Sequence, residues 1–174
     1  VSPLDCGFHF SRITSRSHGT SGPDAGKKGV RVGRNKRGDR NRPEQAIGPG
    51  HVHGRISVSA NGNGKQLHSE GPNAYILSEL GSRHSESAME FLKDHMSGKL
   101  SRNKPFYLYY AANSNHGPHT PDLQIGGKKV KGAGRMVSGK EAGQRGDFIF
   151  ENDVALGRLI DYLAKTDDPR RPGS

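Results

Sequence analysis

The sequence predicts an α/β fold, with helices covering a sheet, and three observations carry that expectation. Residues Phe106-Tyr107-Leu108-Tyr109-Tyr110-Ala111-Ala112 form an unbroken apolar and aromatic run, introduced by Lys104-Pro105. A run apolar on both faces fits a strand in the middle of a parallel sheet, covered from each side. Helical periodicity flanks it, with Ala88, Phe91, Leu92 and Met96 before and Leu156, Leu159, Ile160 and Leu163 after. Beyond the run lies the polar stretch Asn113 to Pro121, which contains His116 and His119. Open α/β sheets bind ligands beyond the carboxyl ends of their strands, so this loop is where chemistry is expected.

In chain order, residues 1–10 come first as a short start containing Gly7-Phe8-His9-Phe10. Residues 11–74 contain no Phe, Tyr or Trp and only eight Val, Ile, Leu or Met. They hold 12 Gly, and 12 Lys or Arg against 4 Asp or Glu, a local charge of +8. Such a stretch cannot bury enough apolar area to offset the entropy of ordering it, so 11–74 is expected to be largely irregular. Residues 75–168 are the expected folded part. One or two helices are predicted over 75–95, broken near Gly81, with Ser85 as an N-cap. Ser97-Gly98 ends them, with Lys93 near the last turn. Residues 122–146 include Gly126-Gly127, Lys128, Lys129 and Lys131 and read as an exposed excursion. Asp147 is the expected cap of the next helix, which runs to about Lys165, with Val154 and Ile149 widening its stripe. Asp167-Asp168-Pro169 stops it, leaving 169–174 as a tail. One buried strand does not make a sheet, and the first 74 residues do not obviously supply its neighbours.

The length, 174 residues, suits about one domain. Apolar residues are 30% of the chain and aromatics 6%, which predicts a thin core. No apolar run approaches the ~18–20 residues of a membrane span, so no membrane partner is expected. The start has neither the basic nor the apolar region of a signal peptide. The single cysteine, Cys6, excludes an internal disulfide framework and a Cys-rich zinc module, and reads as an inert thiol.

The net charge of +10 directs attention to anions. The basic run Arg31–Arg42 suits nonspecific phosphate contact. It lacks interleaved aromatics for stacking bases, so no specific nucleic-acid partner is expected. Gly33 to Gly38 has no phosphate-loop lysine. His51-x-His53 would put two metal ligands on one face of a strand, but no third ligand is identifiable, and solvated loop histidines are the plainer reading. Arg37-Gly38-Asp39 and Arg145-Gly146-Asp147 match a cell-adhesion tripeptide that chance readily produces in an Arg- and Gly-rich chain; the second has a plain role at a helix start.

Three segments carry a resemblance. Lys104 to Tyr110, followed by Asn113 to Pro121, resembles the strand and histidine loop of the formylglycine-dependent sulfatases. Phe148-Ile149-Phe150-Glu151-Asn152-Asp153-Val154-Ala155-Leu156-Gly157-Arg158-Leu159-Ile160-Asp161-Tyr162-Leu163 looks like the helix that follows in that family. Gly7-Phe8-His9-Phe10 is similar to the family's G-F-D-x-F turn, with His9 where Asp is usual. The strong part covers roughly 75–168. The resemblance implies a slice of an alkaline-phosphatase-like mixed sheet flanked by helices. It also implies an arylsulfatase-like hydrolase of sulfate esters, from a family usually exported or lysosomal. His116 matches the family's sulfate-contacting histidine, and His119 is the alternative in that alignment. An imidazole there would donate to a sulfate oxygen and assist charge development in the leaving group.

The family's other machinery is absent from this chain. Its nucleophile is a formylglycine made in a Cys/Ser-x-Pro-x-Arg motif, whereas Cys6 stands in Asp5-Cys6-Gly7-Phe8-His9. The Asp-Asp and Asp-Asn pairs that hold one divalent cation, usually Ca²⁺, are missing too, as are the sulfate-contacting lysines. The chain therefore reads as an internal slice of a sulfatase and is expected to be inactive alone. The composition of 11–74 is what an out-of-frame reading of GC-rich DNA would give, with a lineage-specific insertion as the alternative. Base bias by codon position separates the two. The competing functional reading is a basic, partly disordered protein that binds polyanions without catalysis.

Overall fold

The computed structural model describes residues 3–14, 51–59, 62–69, 76–99, 104–117, 119–133, 136–137, 140–141 and 143–166. Helices and small antiparallel sheets make the fold broadly α/β. Two compact units divide the chain. The first is Val1–Leu77 with His116–Thr120, and the second is Ser78–Asn115 with Pro121–Ser174.

The first unit opens with a 3-10 turn, Pro3–Cys6, that buries Leu4. Gly7 follows with φ of 96°, a left-handed conformation that glycine adopts without steric cost, and Phe8 N donates to Pro3 O at 3.2 Å. Strands β1 (Phe10–Thr14), β2 (His51–Ser59) and β3 (Gly62–Ser69) then make an antiparallel sheet in that order. Phe10 pairs with Arg55 and Thr14 with His51, while Val52 pairs with Ser69 and Ser59 with Gly62. The expectation of an irregular 11–74 is therefore corrected over these strands. The reason is a local alternation of Val52, Ile56 and Val58 that the poor overall composition hides. The basic run Arg31–Arg42, Arg37-Gly38-Asp39 and the Gly33–Gly38 stretch lie outside the described residues.

In the second unit, α1 (Leu80–Met96) follows a 3-10 turn at Leu77–Glu79. Its predicted apolar face holds: Ala88, Leu92 and Met96 are buried and Phe91 is half-buried. Ser97 N donates to Lys93 O and Gly98 N to His95 O, with Gly98 at φ 88°, so the helix ends where expected. The break expected near Gly81 falls at Glu79, where the 3-10 turn gives way to α1, and one expectation is corrected: Ser85 is buried mid-helix. Its hydroxyl accepts Arg158 Nη1 at 2.8 Å, so it ties two helices together instead of capping one.

The run 106–112 is also corrected. It forms no strand, and the sheets among the described residues are all antiparallel. Tyr107 is 74% and Tyr109 70% exposed, whereas Phe106, Leu108 and Tyr110 pack on the core. Exposure at every second residue is the period of an extended chain with one covered face. Tyrosine tolerates this because it joins a polar hydroxyl to an apolar ring.

The excursion after Pro121 is partly buried. Strands β4 (Gln124–Ile125) and β5 (Lys128–Lys129) form a hairpin turned by Gly126 and Gly127, both at positive φ. Lys128, Lys129 and Lys131 are exposed as expected, but Ile125 and Val130 are fully buried against Val154 and Ala155. A second short pair, β6 (Met136–Val137) and β7 (Lys140–Glu141), precedes α2 (Gly143–Lys165).

Asp147 is not the cap of α2. It is buried one turn inside the helix, where Oδ2 accepts Gly132 N at 2.7 Å. The buried stripe is Phe148, Glu151, Val154, Ala155 and Leu159, with Tyr162 and Leu163 half-buried. Leu156, Ile160 and Ile149 are largely exposed, so the predicted stripe is rotated. A carboxylate, Glu151, occupies the centre of the true inward face and breaks its apolar pattern. Ala88, Met89, Leu92 and Leu159 form the main core between the helices, with Phe91, Phe106, Leu108 and Tyr110 against it.

Candidate functional site

The predicted site residues lie between Asn113 and Asp122, and the residues on either side of them, Asn113–Asn115 and Asp122, are fastened within the second unit. Glu151, fully buried on α2, takes three donors: Asp122 N at 2.7 Å on Oε2, and Ser114 Oγ at 3.2 Å and Asn113 Nδ2 at 3.5 Å on Oε1. Asn115, with φ of 74°, sits in the left-handed region that asparagine tolerates better than most residues. Its Oδ1 accepts Arg145 Nε from the first turn of α2 at 3.1 Å.

Asp122 links the far end of the loop to α1. Its Oδ2 accepts Ser82 N at 2.6 Å, while Glu79, at the helix N-cap, makes no side-chain capping bond. A carboxylate 40 residues downstream thus satisfies an orphan amide of the first turn and complements the helix dipole. Gly81 must be glycine here, because a Cβ would run into the Glu151 carboxyl group. Asp122 Oδ1 is buried with no hydrogen-bond partner among the described residues.

Burial raises both carboxyl groups. Glu151 is pushed up to about 7 by loss of water and then by the nearby Asp122 charge, against the donors that favour its ionised form. Asp122 is pushed up to about 6 by burial, and the Ser82 and Gly81 hydrogen bonds oppose the shift. Tyr110 is raised to about 12 by burial, then by Glu151 and Asp122. Two carboxyls that disfavour joint ionisation can hold a proton between them near neutrality.

His116 is exposed, and its Nδ1 donates to Gly117 O at 2.7 Å, which assigns the proton of the neutral ring to Nδ1. His119 is half-buried, and Thr120 Oγ1 donates to Leu77 O at 3.4 Å. These residues belong to the first compact unit. His51 and His53 lie in β2, and the register sets His53 opposite His68 of β3. Cys6 is exposed and unbridged. Arg145-Gly146-Asp147 lies in the first two turns of α2. Among the described residues no helix is long and apolar enough to cross a membrane.

Sequence reasoning missed Glu151 and Asp122. Glu151 stands inside the sulfatase-like segment Phe148 to Leu163, and its spacing to Phe148, Ala155 and Leu159 marks it as inward-facing. No sequence signal marks Asp122, since its partner Ser82 lies 40 residues away.

No family model, curated protein or solved structure matches this chain.

The calcium implied by the resemblance does not fit the buried carboxylates. Glu151 already accepts three donors and Asp122 Oδ2 accepts Ser82 N, which leaves Asp122 Oδ1 as the one carboxyl oxygen of the pair without a hydrogen-bond partner among the described residues. Calcium needs six to eight oxygen ligands, and among the described residues no group of three or more His, Cys, Asp or Glu side chains is placed to hold a metal ion.

Proposed function

We propose that this chain derives from a sulfuric ester hydrolase of the formylglycine-dependent, alkaline-phosphatase-like class, with His116 as its sulfate-contacting residue. The observation that carries this reading is the ordered pair of segments Lys104–Pro121 and Phe148–Leu163. It is supported by how they meet: Glu151 and Arg145 of α2 grip Asn113, Ser114, Asn115 and Asp122 around the histidine stretch. With Nδ1 on Gly117 O, His116 would donate to a sulfate oxygen through Nε2 of a doubly protonated ring, and His119 would stand by as a second donor. The chain contains no Cys/Ser-x-Pro-x-Arg, so it is expected to bind the anion without turning over the ester.

Histidine NMR with inorganic sulfate tests this. A saturable shift confined to His116, with or without His119, and abolished in His116→Ala, is the expected result. Equal, nonsaturating shifts at all nine histidines would remove the reading.

A second reading has its own observation, the local charge of +8 in 11–74. There the chain binds sulfated or phosphorylated polyanions electrostatically. Its mark is heparin or DNA affinity that falls steeply with salt and is indifferent to His116→Ala.

A further inference from the structure

We propose that Glu151 is a positioning residue, its buried carboxylate closing the two ends of the loop that carries His116 and His119. The proposal rests on reading that loop as an anion pocket. Asn113 and Ser114 reach Glu151 from before the histidines and Asp122 N from after them, so one side chain joins the ends of the loop. The restraint continues in both directions. Asp122 passes it to α1 through Ser82 N, and Arg145 on α2 holds Asn115 beside His116.

A carboxyl group suits this task because its two oxygens face opposite ends of the loop and together take all three donors. The surroundings hold it in one place. Gly81 leaves it no room to spare, and α2 is anchored on either side by fully buried Phe148 and by Ala155. A glutamine retains the shape and one acceptor, and its amide can donate to the Ser114 hydroxyl. An alanine strands all three donors in a dry site. The expected order of loop rigidity is therefore wild type, then Glu151→Gln close behind, then Ser114→Ala, then Glu151→Ala.

Amide hydrogen exchange and sulfate titration, run on the same labelled samples of the full chain, separate the parts of this inference. Glu151→Ala is expected to speed exchange at the Asp122 amide by about tenfold or more, the loss of one good hydrogen bond in a buried site. Amides inside α1 and α2, such as those of Leu92 and Leu159, are expected to keep their protection. The His116 response to inorganic sulfate is expected to weaken by about tenfold in parallel, and Glu151→Gln to restore both readouts to within about threefold. Wild-type loop exchange in Glu151→Ala, or a glutamine no better than alanine, overturns the proposal. If Glu151→Ala unfolds the helices, Ser114→Ala decides: faster exchange across 114–122 upholds the clamp and unchanged exchange overturns it. A wild-type His116 that ignores sulfate, while loop exchange still follows Glu151, overturns the sulfate reading and leaves the clamp standing.

Discussion

The β1–β3 sheet carries only six large apolar residues along its 22 positions, whereas α1 and α2 between them bury nine apolar side chains. The sheet is described by its backbone ladder, amides paired along Phe10–Thr14, His51–Ser59 and Gly62–Ser69. The helix pair is a side-chain structure, centred on Met89, Leu92, Leu159 and the aromatic cluster of Phe91, His95 and Phe106. A ladder with little apolar surface is individually weak, because intramolecular hydrogen bonds largely replace bonds to water. Burial has no such compensation. The two regions should therefore respond very differently to truncation.

The largest effect is expected at Leu92, which is fully buried between the helices. Leu92→Ala should cost about 2–5 kcal/mol in denaturant unfolding followed by helical circular dichroism. Ile13→Ala, at a half-buried position in β1, should cost only about 1 kcal/mol. Equal costs at the two sites would end the distinction between ladder and core.

Next in size is Gly81→Ala. Its Cβ would meet the Glu151 carboxyl, a buried group held by three donors and unable to move away cheaply. The overpacking should cost about 1–3 kcal/mol, although alanine favours helices by ~1 kcal/mol over glycine. A stabilised Gly81→Ala would mean that the carboxyl group moves freely, against the closed loop inferred above.

These features were unequally legible in the sequence. The inward face of α1 could be read from Ala88, Phe91, Leu92 and Met96, whose helical spacing stands out although Ser85, Ser87 and His95 are buried there too. On α2 the same reasoning selects a rotated face, since Asp147 and Glu151 are buried polar residues that a hydrophobic pattern discards. The run 106–112 predicts two-sided burial from composition, yet Tyr107 and Tyr109 face outward, which a phenol permits and a phenylalanine would resist. The β2–β3 hairpin was present as a local alternation of Val52, Ile56 and Val58, but the whole-segment composition outweighed it. The histidine loop could be located from the sequence. What fastens it could not, because the bonds from Glu151 to Asn113 and from Asp122 to Ser82 cross 38 and 40 residues.

The buried carboxyls give the helix unit a pH signature. Glu151 at about 7 and Asp122 at about 6 lie above the ordinary carboxyl value of about 4, so the folded state holds protons that the unfolded chain has released. Their contribution is fully present below about pH 4 and is lost as pH rises through about 6 to 7. Glu79 raises Asp122 further, and both carboxyls in turn raise Tyr110, which Arg158 opposes. Unfolding free energy should thus decline from about pH 4.5 to 7.5, and Glu151→Gln, which cannot ionise, should flatten the decline. A wild-type stability that rises over that interval would contradict the burial of the pair.

The smallest expected effect lies at the surface of α1. Arg83 donates twice to one oxygen of Glu79, Nη2 to Oε2 at 2.8 Å and Nε to the same Oε2 at 3.2 Å, one turn apart at the helix start. Both side chains reach water, so the Coulomb gain is screened and offset by the entropy of holding two long chains still. Arg83→Ala should change stability by no more than about 0.5 kcal/mol, and raising the salt should erase even that. A loss comparable to Leu92→Ala would show that surface charge rather than buried carbon holds α1 in place. The distinction between the regions would then be one of electrostatics, with the ladder, poor in carboxylates, as the less salt-sensitive of the two.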